Sequence, residues 1–142
     1  MNEEHKHAIL IIRKDNKFLQ YYDERWEGFL FPNLKMTDEF NENKIIEHIS
    51  NILKINKDDI NVDLLFNKIH SKFSESAKKY KTYNHYFYEV KINEIDRMFN
   101  ENEFYNDTEY KWYTMEELEN DDRIQKINSD IVGFVKNIKF NK

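Results

Sequence analysis

The pattern of apolar and polar positions divides the chain into short elements. Residues His7 to Arg13, HAILIIR, form a near-continuous apolar run, as in a buried strand. KDNK follows as a turn, since Asp15 and Asn16 tolerate left-handed conformations. FLQYYD then returns as a second strand, and the two read as a hairpin. FLF, at 29–31, is a short third strand ended by Pro32, which cannot donate to a ladder.

From Asn41 the period changes. Ile45, Ile46, Ile49, Ile52 and Leu53 fall on one helical face, with Lys44, Glu47, His48, Asn51 and Lys54 off it. NKDD breaks this helix. Residues 62–74 fit two patterns: Leu65, Ile69 and Phe73 suit a helix, while Val62, Leu64 and Phe66 alternate like a strand. YKTYNHYFYEVKI is a clear strand. Tyr80, Thr82, Tyr86, Tyr88, Val90 and Ile92 share one face, and Tyr83, His85, Phe87 and Glu89 the other. Residues 94–109 are acidic and loop-like. YKWY is a short strand, and TMEE opens a helix with a capping box, Thr114 to Glu117. A terminal helix carries Ile127, Ile131, Phe134, Val135 and Ile138 on one face. The mixture predicts an α/β (α+β) architecture, an α/β/α sandwich with a mixed sheet covered by helices.

Composition narrows the class. The 142 residues suffice for one domain, expected to span 1–142, and 39% hydrophobic with 15% aromatic residues is too apolar for disorder. Without cysteine there are no disulfides, thiolate metal sites or cysteine nucleophiles, which points to a cytoplasmic protein. No apolar run reaches the roughly 20 residues of a membrane span, so no membrane partner is expected. The formal charge of -5 argues against binding nucleic-acid backbone.

The order of these elements resembles the Nudix (MutT-like) family over nearly the whole chain. Three places carry the likeness: HAILIIRKDNKFLQYYDERWEGFLFP for the opening hairpin and the proline before the Nudix box, NKIIEHISNILKI for the box helix, and TEYKWYTMEEL for the late strand and helix start. The resemblance implies helix glutamates that hold Mg²⁺ or Mn²⁺ against a diphosphate. With Ile49 and Ile55 in the box's two aliphatic slots, Glu47 and His48 take the Arg-Glu positions. Asn51 and Ile52 then replace a Glu pair, and Lys54 replaces a glycine. Asn33 and Leu34 replace the glycine pair after the proline, and Glu39 is the candidate for the upstream glutamate slot. The resemblance thus implies the fold, with a box stripped of most of its metal-binding carboxylates.

Glu39, Glu42 and Glu47 are the candidate metal ligands if the chain is active, with Glu47 and Glu109 as candidate catalytic groups. Their plainer reading is a solvated acidic surface. Glu101, Glu103, Asp107 and Glu109 fill the segment where some relatives place a base. Arg13 and Arg25 are candidates for holding phosphate. Tyr22, Trp26, Phe29 and Phe31 are candidates for stacking on a base, or are core. His5 and His7 form an H-x-H pair that on a strand would point one way and could bind a transition metal, with an exposed edge or a place beside a flexible start as the plainer reading, and His48, His70 and His85 stand isolated. Three functions follow: a Nudix-fold module that binds a nucleotide-like ligand or a protein without standard hydrolysis, a divergent Nudix hydrolase with relocated carboxylates, or a structural or assembly role through a sheet edge or an aromatic patch. A homodimer is compatible with each.

Overall fold

The computed structural model describes residues 4–74, 78–93, 95, 103–105 and 107–140; at 4, 5, 72, 74 and 103–105 it describes the backbone alone. The chain forms two compact units, Met1–Ile12 with Pro32–Asn93, and Arg13–Phe31 with Glu94–Lys142.

In the first unit, β1 (Glu4–Ile11) runs parallel to β7 (Lys79–Ile92), with His7 beside His85 and Ile9 beside Phe87. β5 (Asn33–Lys35) pairs antiparallel with β1, and β6 (Ile60–Ser74) antiparallel with β7, giving the order β5-β1-β7-β6. Ala8, Ile9, Leu10, Ile11 and Ile12 are all buried, as a strand covered on both faces requires. β1 lies between β5 and β7, but β5 pairs only with His7–Ile9, so His7 is flanked on both sides while His5 pairs, among the described residues, with β7 alone.

Residues 62–74 are strand. Their mixed pattern has a physical cause. A bulge between Leu64 and Phe66 shifts the ladder by one residue, so the apolar alternation changes phase inside a continuous strand. β7 has the two expected faces. At its C-terminal end Phe87, Tyr88, Glu89 and Val90 are all buried.

Helix α1 (Glu42–Leu53) buries Ile45, Ile49 and Leu53 of the predicted stripe, leaves Ile46 and Ile52 half-buried, and packs against β6. It ends on Lys54, whose backbone is left-handed and donates to the Ser50 carbonyl. The Ser50 hydroxyl donates to the Ile55 carbonyl at 2.6 Å. A single 3-10 turn (Lys57–Asp59) follows, with the Asn56 side chain accepting from the Asp58 N–H.

The second unit holds the tight hairpin. β2 (Arg13–Lys14) turns through Asp15, at φ 57°, into β3 (Lys17–Asp23). The long apolar run before it belongs to the other sheet. β4 (Gly28–Leu30) pairs with β3 on one side, and β9 (Thr108–Thr114) on the other. β8 (Glu103–Tyr105) pairs with β9 about a turn at Asp107, so the end of the acidic segment is a hairpin and not a loop. Thr114 and Glu117 form the predicted capping box of α2 (Met115–Asn120), and Asp121 caps α3 (Asp122–Lys136) by accepting from the Ile124 N–H. Ile124, Ile131, Val132 and Val135 are the buried residues of α3. α3 passes so close to β4 that a Cβ on Gly28 would lie 2.8 Å from the Ile127 side chain. Among the described residues no helix is long and apolar enough to cross a membrane.

Ile49 is fully buried at the centre of the α1 stripe. Ile49→Ala removes that contact and leaves a cavity, so chemical denaturation is expected to show a loss of about 2–5 kcal/mol. A loss below about 1 kcal/mol would mean that α1 does not carry its unit's core.

Candidate functional site

Helix α1 presents its polar positions outward. Glu42, in the first turn, and Glu47 are exposed, as is Glu39 in the segment before the helix. Glu42 and Glu47 are five positions apart, which turns their side chains by about 140° from each other around the axis. Asn51 is exposed, and Ile52 is half-buried. The ring of Phe40 lies 6.3 Å from that of Tyr88. Burial raises the Tyr88 hydroxyl, with the Glu42 charge and Tyr86 adding to it. His48 is half-buried, and burial holds its imidazole below the ordinary value of 6.5. No group of three or more His, Asp or Glu side chains comes together as a metal site among the described residues.

The opposite face of the same sheet carries a row of rings. His70 and His85 are hydrogen-bonded, Nε2 to Nδ1 at 2.9 Å, so these two histidines are not isolated. His7 lies 6.2 Å from His85, ring to ring. Tyr83 stacks along His85 at 5.9 Å, and Phe66 stacks on Phe87 at 4.6 Å. Position 70 pairs with Tyr83 and position 68 with His85, so the two imidazoles meet diagonally across the ladder. Nothing in sequence spacing announces this contact.

The second unit gathers aromatic and charged groups about Phe29. Tyr22 lies 5.4 Å from Phe29, and Phe29 lies 5.6 Å from Tyr113. The Lys111 ammonium sits 5.1 Å from the Tyr113 ring centre. Burial, then the charges of Asp121, Glu109 and Glu117, push the Tyr113 hydroxyl up to about 12, so it stays a proton donor. Glu109 is half-buried on β9 and takes part in this field. Trp26 is 51% exposed on the β3–β4 turn. The Asp23 carboxylate accepts from the backbone N–H groups of Arg25 and Trp26, and Arg123 donates to the carbonyls of Trp26 and Glu27.

The remaining candidates have other surroundings. Phe31 is 1% exposed and edge-on to Phe18, so it has no face to offer a ligand and is core. Arg13 stacks its guanidinium 4.0 Å over Phe140. Arg25 extends into solvent with one oxygen of Asp23 at 4.0 Å. Glu101 lies outside the described residues, as does the side chain of Glu103. Asp107 is the left-handed residue of the β8–β9 turn.

No protein-family model and no curated protein matches the chain. Solved structures do. The Ap4A hydrolase of C. elegans superimposes with a TM-score of 0.57 over 96% of this chain and 95% of that one, at 12% identity. A Nudix-family hydrolase of Clostridium perfringens gives 0.53 over 94% of each chain at 18% identity. The MutT protein of methicillin-resistant Staphylococcus aureus 252, of the Nudix hydrolase family, gives 0.54 over 96% of each chain at 21% identity. The chain has the Nudix fold.

In the alignment by Ile49 and Ile55, α1 stands where the Nudix box helix would. Lys54, in the place of the box glycine, still has φ 57° and ψ 47°, the left-handed geometry for which glycine is usual. Asn33 and Leu34, in the place of the glycine pair, lie in β5 and not in a left-handed turn. The donor set does not fit a Nudix metal. Mg²⁺ and Mn²⁺ take hard oxygen ligands in number. Along the ligand positions of α1 stand a histidine held below its ordinary value by burial, a neutral amide and an isoleucine.

His48 also sets a pH dependence. Its folded value lies below the unfolded value near 6.5, so the unfolded chain takes up the proton first. Stability from this group is present above that value and is lost as the pH falls through it. Melting temperatures of the wild type and of His48→Gln, measured from pH 7.5 to pH 5, are expected to diverge on the acid side, with the variant giving the flatter curve. Parallel curves would mean that the imidazole is not desolvated.

Proposed function

We propose that this chain is a Nudix-fold binding module for a nucleotide-like small molecule, without the metal-dependent cleavage typical of the family. The observation that carries the reading is on α1. The helix keeps its buried stripe and its left-handed end at Lys54, while Asn51 and Ile52 occupy the positions of a glutamate pair. A helix that retains its packing and loses its ligands supports binding more than chemistry.

The contact surface proposed is the Tyr22–Phe29 pair, both half-buried, with Trp26 on the adjoining turn as a second ring. Stacking on such rings accepts any base. The ligand class is drawn from the solved structures of this fold, one of which is an Ap4A hydrolase. The lack of cysteine accords with a cytoplasmic setting.

A second reading rests on those same structures, which are hydrolases. In it the carboxylates of α1 and of the segment before it, Glu39, Glu42 and Glu47, would hold a relocated Mg²⁺ or Mn²⁺. One experiment separates the two. The purified protein is given nucleoside triphosphates, sugar nucleotides and dinucleoside polyphosphates with Mg²⁺ and then Mn²⁺, and phosphate release is followed beside calorimetric binding. The expected result is saturable binding without turnover. Tyr22→Ala then weakens it by about 1–3 kcal/mol, roughly 5- to 150-fold. Turnover abolished by Glu47→Gln would establish the hydrolase instead, and absence of both binding and turnover would remove the nucleotide reading.

A further inference from the structure

β6 is the outer strand of its sheet: among the described residues it pairs with β7 alone. By its register with β7, one face carries Leu64, Asn67, Ile69, Ser71 and Phe73, opposite Tyr88, Tyr86, Asn84, Thr82 and Tyr80. Leu64 is 51% exposed, Ile69 58% and Phe73 50%; Tyr80, whose ring is 5.3 Å from Phe73, is 74% exposed. A long outer strand with an exposed apolar row is a template for pairing with another chain.

The bulge is what makes the row. Leu64 and Ile69 are five residues apart, an odd separation that would place them on opposite faces of a regular strand. The extra residue at Leu65 returns Leu64 to the face of Ile69. The resulting order, apolar, Asn, Ile, Ser, apolar, reads alike in both directions about Ile69.

A strand that matches this order when reversed is the same strand of a second copy. We propose that two copies of the chain pair antiparallel along β6, about a two-fold axis through Ile69. This is an isologous contact, with each surface its own complement. Ile69 of one copy then faces Ile69 of the other, Leu64 faces Phe73, and Asn67 faces Ser71. On the reverse face Lys68 stands opposite His70, so no lysine meets a lysine there. Apolar pairs directly across such a ladder are the stabilising contacts of an antiparallel sheet, and like charges directly opposed destabilise it.

The axis supplies a specific test. Sedimentation velocity of the wild type over a concentration series is expected to show a monomer–dimer equilibrium. Ile69→Lys and Ile69→Glu, each alone, place two like charges at the axis and are expected to sediment as monomers. An equal mixture of the two places Lys opposite Glu and is expected to recover the dimer. Ile69 is exposed, so both variants are expected to keep the wild-type circular dichroism. If either fails to fold, Leu64→Glu mixed with Phe73→Lys tests the same register. A wild type that stays monomeric to its solubility limit would overturn the proposal. So would charged variants that still dimerise alone, or a mixture that stays monomeric.

Discussion

The parallel pairing of β1 with β7 is the constraint on which the first unit depends. Five consecutive residues, Ala8 to Ile12, are buried, each larger one contributing about 1.5–3 kcal/mol by leaving water. The strand is also flanked at its edges, by β5 over His7–Ile9 and by β7 along its whole length. The parallel register then sets His7 beside His85, and β7 in turn holds β6, which brings His70 to within hydrogen-bonding distance of His85. Helix α1 closes on the other face through Ile45, Ile49 and Leu53.

The parts of this arrangement that are local were legible in the sequence. The α1 stripe, the two faces of β7 and the capping box at Thr114 follow from spacing within a dozen residues, and each is present. β5 was not legible, because three residues carry no period and are strand only through their bonds to β1. β6 read ambiguously because its bulge breaks the alternation in mid-strand. The opening hairpin is shorter than the apolar run suggests: that run and the returning strand belong to different sheets, and only Arg13 and Lys14 complete the turn. The segment ending at Glu109 read as loop from its charge, although Phe104, Tyr105 and Tyr110 lie in paired strands.

The candidate site was legible as a set of substitutions. The resemblance to the Nudix box, aligned by Ile49 and Ile55, put Asn51 and Ile52 on a helix and Lys54 after them, and α1 ends at Leu53 with Lys54 as its cap. The surroundings of the other candidates were not. That Phe31 is core, that Arg13 lies against Phe140, and that Tyr22 joins Phe29 and Tyr113 all depend on contacts remote in sequence. The left-handed Lys54 shows the separation most clearly. Packing of α1 and the turn after it demand that geometry whether or not a metal is bound, so backbone form persists where ligand chemistry has changed.

On the proposed reading, α1 is a box helix without a metal site. The measurement that meets it most directly is an electron paramagnetic resonance titration of aqueous Mn²⁺ with the purified protein. The donor set on α1 predicts that equimolar protein leaves the spectrum of the free ion undiminished. Stoichiometric loss of that spectrum, reversed by Glu47→Gln, would contradict the account and place a working metal site on this helix.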